Sequence, residues 1–258
     1  MRLLTLSQFF YIPQVSLGNQ YFDFSEGGPE INLEIPVGGR SPQELVNLLS
    51  REVNAGGGQD YTFTFDRVEN KITISAPGNF ELLPVTGVNN AQSIFPLLGF
   101  TTDRSGSNSY TADNVFATVW RPQFLLQDYV TPSQWKEKIS PVINEAGDGS
   151  VESFTYGTKS FYQLNVKYIC NYEQDSGSII ENNPQGEEEA ESFLEFIIEK
   201  VNIEIMPDRD SPNDYDVVLF EKSTQDQNGT GYKLRELTGE GLAGFYETGN
   251  LVFRKVNL

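Results

Sequence analysis

The sequence predicts a β-rich α+β fold of two domains, each with an antiparallel sheet packed by one or two helices. Apolar and polar residues alternate in "YTFTFDRVENKITIS" (61–75), which is the pattern of a hairpin with one buried face. Apolar residues recur at helical spacing in the preceding segment, "SPQELVNLLSREVN" (41–54). The second half of the chain repeats this combination, because a long alternating segment is followed there by an amphipathic one.

The helix in the first half carries clear terminal signals. Ser41 is followed by Pro42 and, three residues after the serine, by Glu44, the pattern of a capping box with proline in the first turn. The apolar stripe of this helix consists of Leu45, Leu48, Leu49 and Val53. The run "AGGG" that follows predicts the end of the helix.

The hairpin at 61–75 has two different faces. Tyr61, Phe63 and Phe65 lie on one face, and Thr62 and Thr64 lie on the other. We expect the aromatic face to be core and to be covered by the helix. The threonine face and the outer edge of the hairpin are then the expected contact surfaces.

Residues 101–114, "TTDRSGSNSYTADN", are rich in Ser, Thr, Asn and Gly and nearly free of apolar residues. An interdomain linker and a long surface loop are both open, and the change in composition favours a linker. We therefore expect a helix-plus-hairpin β-rich module at 1–112 and an α+β domain with an antiparallel sheet at 113–258. A chain of 258 residues is long enough for two ordinary domains.

Several elements are expected in the second domain. A helix is predicted to begin at Thr131 and Pro132 and to be limited by Pro141. A long strand is predicted over 162–170, and "EEEAESFLEFIIEKVN" (187–202) is predicted to be a helix whose N-terminal glutamates suit the helix dipole. The segments after residue 215 are predicted to be further strands joined by turns.

The charge balance argues against two classes of partner. With 18 basic and 36 acidic residues the chain has a net charge of −18, which repels nucleic-acid phosphates and anionic membrane surfaces. The acidity suits either a soluble surface or a wall along which DNA slides without binding. No segment approaches the roughly 18 apolar residues of a membrane span. Cys170 is the single cysteine, so it cannot form an internal disulfide, and we expect it to be buried.

No constellation of residues indicates catalysis, a cofactor or a metal. The chain has no histidine, which excludes histidine-based triads and histidine-ligated zinc. The string "GEGLAG" (239–244) matches G-x-G-x-x-G but joins two predicted strands, so a hairpin-type connection is favoured over a dinucleotide site. "NGT" at Asn228 is interpreted as a turn rather than as a glycosylation site. A glycosidase pair of carboxylates stays open, because such partners meet only in the fold.

An acidic loop raises the question of calcium. Its carboxylates are Asp208, Asp210, Asp214 and Asp216. An EF-hand loop needs oxygen ligands at alternate positions and glycine at the sixth, but counting from Asp208 the fifth residue is Pro212 and the sixth is Asn213. A solvated acidic loop is therefore favoured, with calcium near Asp208 and Asp210 kept as the alternative.

The aromatic cluster Phe9, Phe10 and Tyr11 near the N-terminus has two interpretations. It is either part of the core or, if the segment is an arm, a plug into a neighbouring subunit. Together with Thr62 and Thr64, these three residues are the candidate interface residues.

The order of a strand, "IPVGGRSPQELVNLLSREVN", "YTFTFDRVENKITIS" and "LLGF" resembles a module of tailed-bacteriophage virion proteins. In that module a "P-x-G-x-x-S-x-x-E-L" helix precedes a hairpin that ends in a small hydrophobic corner. The resemblance covers roughly residues 20–115 and brings no catalytic residues. The C-terminal half is similar in style to phage tail and neck components.

The resemblance implies a non-enzymatic structural subunit of a virion, assembled in the host cytoplasm. Its place would be a ring or collar at the tail, the neck or the capsid surface, with a connector, a tail tube or a baseplate-proximal ring favoured. It would act through contacts with other copies and other virion proteins, without specific binding to nucleic acid or membranes. A host-surface or glycan-binding adhesion or decoration protein is the alternative.

Overall fold

The structure is a computed structural model that describes residues 8–120, 133–138, 142–145, 151–154, 158–170, 172–175, 178–181, 187–198, 202–208, 210–223, 234–238 and 241–256. In these residues antiparallel sheets predominate and helices are few. The β-rich α+β fold predicted from the sequence is therefore confirmed. Asn228 lies outside the described residues.

In the part of the chain that the structure describes, short strands alternate with three α-helices. The first elements are β1 (Gln8–Tyr11), β2 (Tyr21–Ser25), β3 (Ile31–Glu34), α1 (Pro42–Gly56), β4 (Thr62–Asp66), β5 (Lys71–Leu82), a 3₁₀ turn (Asn90–Gln92), α2 (Phe95–Leu98), β6 (Arg104–Thr111) and β7 (Thr118–Trp120). The next strands are β8 (Ser133–Lys138), β9 (Val142–Glu145), β10 (Val151–Phe154), β11 (Thr158–Asn165), β12 (Tyr172–Asp175) and β13 (Ser178–Glu181). The last elements of the described part of the chain are α3 (Glu187–Ile198), β14 (Ile203–Met206), β15 (Asp216–Ser223), β16 (Arg235–Leu237), β17 (Leu242–Glu247) and β18 (Asn250–Lys255).

The chain divides into two compact units. The hairpin unit contains Phe9–Val119 and the short segment Val201–Ile205. The C-terminal unit contains Trp120–Lys200 and Met206–Asn257. The domain boundary after residue 112 that the sequence suggests stays a prediction.

Strand β5 is the centre of the sheet in the hairpin unit. Along one edge, its first five residues pair with β4 and its last two, Glu81 and Leu82, pair with β2, which in turn pairs with β3. Along the other edge it pairs with β6, from Thr73 opposite Thr111 to Leu82 opposite Arg104, with two irregularities in register. The predicted hairpin is confirmed as β4 and β5, which are joined by the four residues between Asp66 and Lys71.

The aromatic face of this sheet is the core of the hairpin unit, as predicted. Phe63 and Phe65 of β4 are buried, and Phe22 of β2 lies with its ring centroid 5.9 Å from that of Phe63. Phe95 of α2 packs at 4.6 Å from Phe22. Such tilted and edge-on ring pairs stabilise a core beyond the apolar area that they bury, by about 1 kcal/mol each.

Helix α1 has the predicted capping box. The Oγ of Ser41 accepts a hydrogen bond from the Glu44 amide at 3.2 Å, and the Oε2 of Glu44 accepts one from the Ser41 amide at 2.7 Å. The buried side of the helix carries the predicted stripe of Leu45, Leu48, Leu49 and Val53. The helix ends at Gly56, as the run of glycines predicts.

Residues 104–111 are a strand, so the expectation of a linker or a long surface loop at 101–114 is wrong. Strand β6 is exposed for most of its length, and among its side chains Tyr110 packs against the core ring of Phe80, with centroids 5.0 Å apart. The sequence therefore lacks the apolar alternation that usually marks a strand. The segment buries little apolar surface, but its backbone N–H and C=O groups form hydrogen bonds with β5. This pairing stabilises it as a strand.

The predicted helix from Thr131 to Pro141 is also wrong, because Ser133–Lys138 forms strand β8. It pairs antiparallel with β11, with Ser160 opposite Lys136. Pairing with a distant strand outweighs the local helix-start signal of Thr131 and Pro132. The long strand predicted over 162–170 is shorter than expected, since β11 ends at Asn165 and Tyr168 has a positive φ of 61°.

In the C-terminal unit, strands β15, β18, β11 and β8 are neighbours in that order. Helix α3, predicted from its amphipathic pattern, buries Phe193 and Ile197, and Phe193 stacks on Trp120 at 4.3 Å. Cys170 is buried, as predicted. The connection that includes Gly241 joins β16 to β17 in an antiparallel pair, which confirms the hairpin interpretation of "GEGLAG".

Candidate functional site: a hydroxyl face on the hairpin unit

Three neighbouring strands of the hairpin unit present hydroxyl side chains on one face, in two rows. In the first row Thr62 of β4 lies opposite Ser75 of β5, which lies opposite Ser109 of β6. The second row consists of Thr64, Thr73 and Thr111 in the same strand order. Strands lie about 4.8 Å apart and alternate residues roughly 6.8 Å apart, so the six side chains form a regular grid. We call these six residues the hydroxyl face.

The hydroxyl face is open to solvent. Thr62, Thr64, Ser109 and Thr111 are exposed, while Thr73 and Ser75 in the central strand are half-buried. Within the face, the hydroxyls of Thr73 and Thr111 are hydrogen-bonded at 2.8 Å. These hydroxyls can donate and accept further hydrogen bonds, and short side chains lose little conformational entropy when a surface covers them.

The hydroxyl face carries no charge of its own. The next residue pair along β4 and β5 is Asp66 opposite Lys71, two groups of opposite sign. In a chain with a net charge of −18, an uncharged surface is where another acidic molecule can approach with least repulsion.

Strand β6 is an edge of the sheet, since among the described residues it pairs with β5 alone. Part of its backbone is covered by its own side chains. The amide of Ser107 donates to the Tyr110 hydroxyl at 2.8 Å, and the amide of Ser109 donates to the Ser107 Oγ at 3.2 Å. These local bonds occupy donors that a further strand would need, so the face rather than this edge is the candidate contact surface.

The structure separates the five residues that the sequence nominates for an interface. Thr62 and Thr64 belong to the hydroxyl face. Phe9, Phe10 and Tyr11 lie in β1 and are buried, and the ring of Phe10 packs edge-on against that of Phe65 at 5.8 Å. This position matches the core interpretation of the aromatic cluster, while an interface role for the five residues stays a prediction.

Sequence reasoning missed four residues of the face. Thr73 and Ser75 could be identified from the sequence, because they alternate with Ile72 and Ile74 in the predicted second strand of the hairpin. Ser109 and Thr111 fall in the segment that was expected to be a linker or loop. Only the pairing of β6 with β5 brings them into line with the threonines of β4.

A buried polar network lies at the turn end of the hairpin. Arg67 follows β4 and donates from Nε and Nη2 to the Glu204 carboxylate at 2.9 and 2.8 Å. The other carboxylate oxygen accepts the amide of Gln43 in the first turn of α1. Asn202 donates to Glu44 at 2.8 Å. The segment that carries Asn202 and Glu204 is thereby fixed to the N-terminus of α1.

Burial dominates the titration of Glu204. Its side chain is fully buried, and this desolvation raises the pKa of the carboxyl although Arg67 and the Gln43 amide oppose the shift. The guanidinium of Arg67, itself 6% exposed, also lies 5.0 Å from the centre of the Phe65 ring. This network holds the fold and is enclosed, so it offers no surface to a partner.

The acidic loop shows no metal-binding cluster. In the portions of the chain that the structure describes, no group of three or more Asp, Glu or Cys side chains is placed to hold a metal ion. Asp210 and Asp214 are exposed, and Asp216 is half-buried at the start of β15 beside Lys255. Asp210 and Asp214 thus face solvent, and calcium near Asp208 and Asp210 stays the untested alternative.

Two further findings bear on the class of protein. Among the described residues, no helix combines the length and the apolar character needed to span a membrane. No protein-family model matches the chain, and a search of curated proteins returned no match.

Proposed function

We propose that this protein is a non-enzymatic structural subunit of a phage virion that acts through subunit–subunit contacts. Its place is in a tail or neck ring, as a connector, tail-tube or baseplate-proximal component. Its partners are further copies of the chain and other virion proteins. The hydroxyl face is the observation that carries this proposal, and the resemblance of residues 20–115 to virion modules supports it.

The physical argument rests on where two acidic copies can touch. Each copy carries a net charge of −18, so most contacts between copies bring like charges together. The hydroxyl face avoids this repulsion and offers a regular grid of groups that both donate and accept hydrogen bonds. β-branched threonines are stiff at χ1, so little side-chain freedom is lost on contact.

The acidity of the chain suits a ring through which DNA passes. Negative charge repels phosphates, and a channel lined in this way lets DNA slide without binding. Because the same charge repels phosphates, we expect no specific binding of nucleic acid.

The proposal is tested by charging the hydroxyl face. We expect the wild-type chain to form a ring-sized oligomer by light scattering, alone or on mixing with its neighbouring virion proteins. The double variant Thr62→Lys/Thr64→Lys should stay monomeric in the same assay, because two lysine charges would be buried without partners at the contact. Both threonines are exposed, so thermal unfolding should be unchanged.

The matched control is Thr101→Lys/Thr102→Lys, which adds the same charge at two exposed threonines outside the face. This control should assemble like the wild type. Loss of assembly in both variants would show a general charge effect and remove the role of the face. Absence of the chain from purified phage particles by mass spectrometry, or glycan binding that survives high salt, would favour the adhesion alternative instead.

A further inference from the structure

The hairpin unit exposes three aliphatic side chains around one 3₁₀ turn. Val88 is 72% exposed, Leu17 is 69% exposed and Val85 is 52% exposed. Single exposed aliphatic residues are ordinary on protein surfaces, whereas a group of them marks an interaction site. We call these three residues the aliphatic patch.

Hydrogen bonds from the 3₁₀ turn hold the backbone of two patch members, Val85 and Leu17, beside it. The Asn90 side chain donates to the carbonyl oxygen of Val85 at 2.6 Å. The Gln92 side chain, two residues further on, donates to the carbonyl oxygen of Leu17 at 3.0 Å. Val88 lies two residues before this turn and next to its N-cap, Asn89, so all three aliphatic residues lie around the same turn.

The loop that carries the two valines is held by three carboxylates. Asp103 Oδ1 accepts the amide of Val85 at 2.8 Å, and Glu30 Oε1 accepts the amide of Val88 at 2.8 Å. Asp23, which is buried, accepts the amide of the following residue, Asn89, at 2.7 Å. A loop fixed in this way presents its side chains in one conformation, which lowers the entropy cost of binding.

Two of these carboxylates, Glu30 and Asp103, are exposed and give the patch a negative rim. Burial raises the pKa of Asp103. Hydrogen bonds from the Thr86 side chain and from the Val85 and Thr86 amides lower it by more, so the pKa lies below its usual value. Asp103 is therefore ionised at neutral pH. The neighbouring cation, Arg104, is paired with Asp113. Glu30 and Asp103 thus border the patch with negative charge.

We propose that the aliphatic patch docks a basic, apolar segment of a different protein. An interface typically has an apolar centre and a polar rim of complementary charge, and here the rim is negative. A second copy of this chain is a poor occupant, because it would bring carboxylates against carboxylates. The identity of this partner as a neighbouring virion protein rests on the proposed function. The docking of a basic, apolar segment on the patch does not depend on that function.

The experiment uses the full chain and two synthetic amphipathic peptides, one of leucine and lysine and one of leucine and glutamate. We expect the leucine–lysine peptide to bind, measured by fluorescence anisotropy, and the leucine–glutamate peptide not to bind. Val85→Ser/Val88→Ser should weaken binding of the leucine–lysine peptide by roughly tenfold, because the apolar centre is lost while the charge is unchanged. Thermal unfolding of the variant checks that it is folded.

The matched control is Val68→Ser/Val115→Ser, which changes two valines that are similarly exposed, at 67% and 63%, but are not members of the patch. Retained binding in this control, with loss in the patch variant, supports the proposal. Equal binding in both variants would mean that the peptide responds only to net charge and would overturn it. Self-association of the chain that the patch variant abolishes would identify a second copy as the occupant and would also overturn it. A chain that binds the peptide as expected but is absent from phage particles would refute the proposed function alone.

Discussion

At the scale of single residues, the ion pair between Arg67 and Glu204 joins two distant segments of the hairpin unit. The two residues are 137 positions apart in sequence, and both side chains are buried. A buried ion pair gains little over apolar packing, but removing one partner is costly because the other is left without compensation. Arg67 thereby couples the hairpin turn to the segment that carries Glu204.

Arg67→Met should lower the free energy of unfolding by roughly 3–5 kcal/mol at pH 7 in urea titrations, because it leaves the Glu204 carboxylate buried without a cation. Arg51→Met is the control. Arg51 is 70% exposed and its pair with Glu52 lies at the surface, so the change should cost less than about 1 kcal/mol. A loss in Arg67→Met no larger than in the control would contradict a structural role for the buried pair.

The deficit of Arg67→Met should depend on pH with a definite sign. The folded-state pKa of Glu204 is raised above its ordinary value of 4.5, so the folded state binds this proton more tightly than the unfolded state. The stability that Glu204 contributes is therefore full below that value and is lost as pH rises through the folded-state pKa. Without Arg67 the pKa of Glu204 is raised further. The loss of unfolding free energy in Arg67→Met should therefore shrink as pH is lowered from 7 toward 4.5. A deficit that grows on acidification would contradict this.

Residue roles were predictable where sequence neighbours decide them. The exposure of Thr62 and Thr64 is predictable because they alternate with buried aromatic residues, while their role as contact residues stays a prediction. Neither partner of the Arg67–Glu204 pair was identified. Nothing local marks Glu204 as buried, since it lies in a short strand between apolar residues that only the fold encloses.

At the scale of elements, helix α1 shows how local signals specify a boundary. Ser41 and Glu44 satisfy each other's backbone amides, and Pro42 needs no hydrogen-bond partner for its nitrogen. All of these signals lie within four residues, so the start of the helix was predicted correctly. The same turn then supplies the Gln43 amide to Glu204.

Ser41→Ala should lower the free energy of unfolding by about 1 kcal/mol, because the Glu44 amide loses its acceptor at a buried helix end. Ser50→Ala is the matched control within the same helix. Its hydroxyl donates to the carbonyl oxygen of Val46, a bond that competes with the helix, so this change should be near neutral. Urea titration followed by circular dichroism measures both, and equal effects would contradict the capping role.

Strands β6 and β8 show where local signals mislead. The composition of β6 is that of a loop, and Pro132 before β8 is a common helix-start residue. Each segment becomes a strand because a neighbour, β5 or β11, supplies its backbone hydrogen bonds. Pairing with a distant segment is not encoded in the paired segment alone, which is why both assignments failed.

At the scale of the whole molecule, the net charge of −18 opposes contact between copies of the chain. Repulsion between copies is screened over a Debye length of about 10 Å at 0.1 M salt. If copies meet through the uncharged hydroxyl face, added salt screens the repulsion between them. It weakens nothing at the contact, because that contact contains no ion pairs.

Self-association measured by light scattering should therefore increase as monovalent salt is raised from low to near-molar concentration. Thr62→Lys/Thr64→Lys serves as the comparison and should remain monomeric throughout the series. Association that weakens with added salt would mean that ion pairs hold the copies together, which would contradict contact through the hydroxyl face.

The sequence by itself determined the fold class, the acidic charge, helix α1 with its cap, and the two faces of the hairpin. These features follow from residues close together in the chain, where periodicity and capping act. Only the tertiary structure decided that residues 104–111 complete the hydroxyl face, that Glu204 is buried against Arg67, and that three carboxylates fix the loop bearing Val85 and Val88. Each of these depends on contacts between distant segments, whose free energy is set by the fold and not by local propensity.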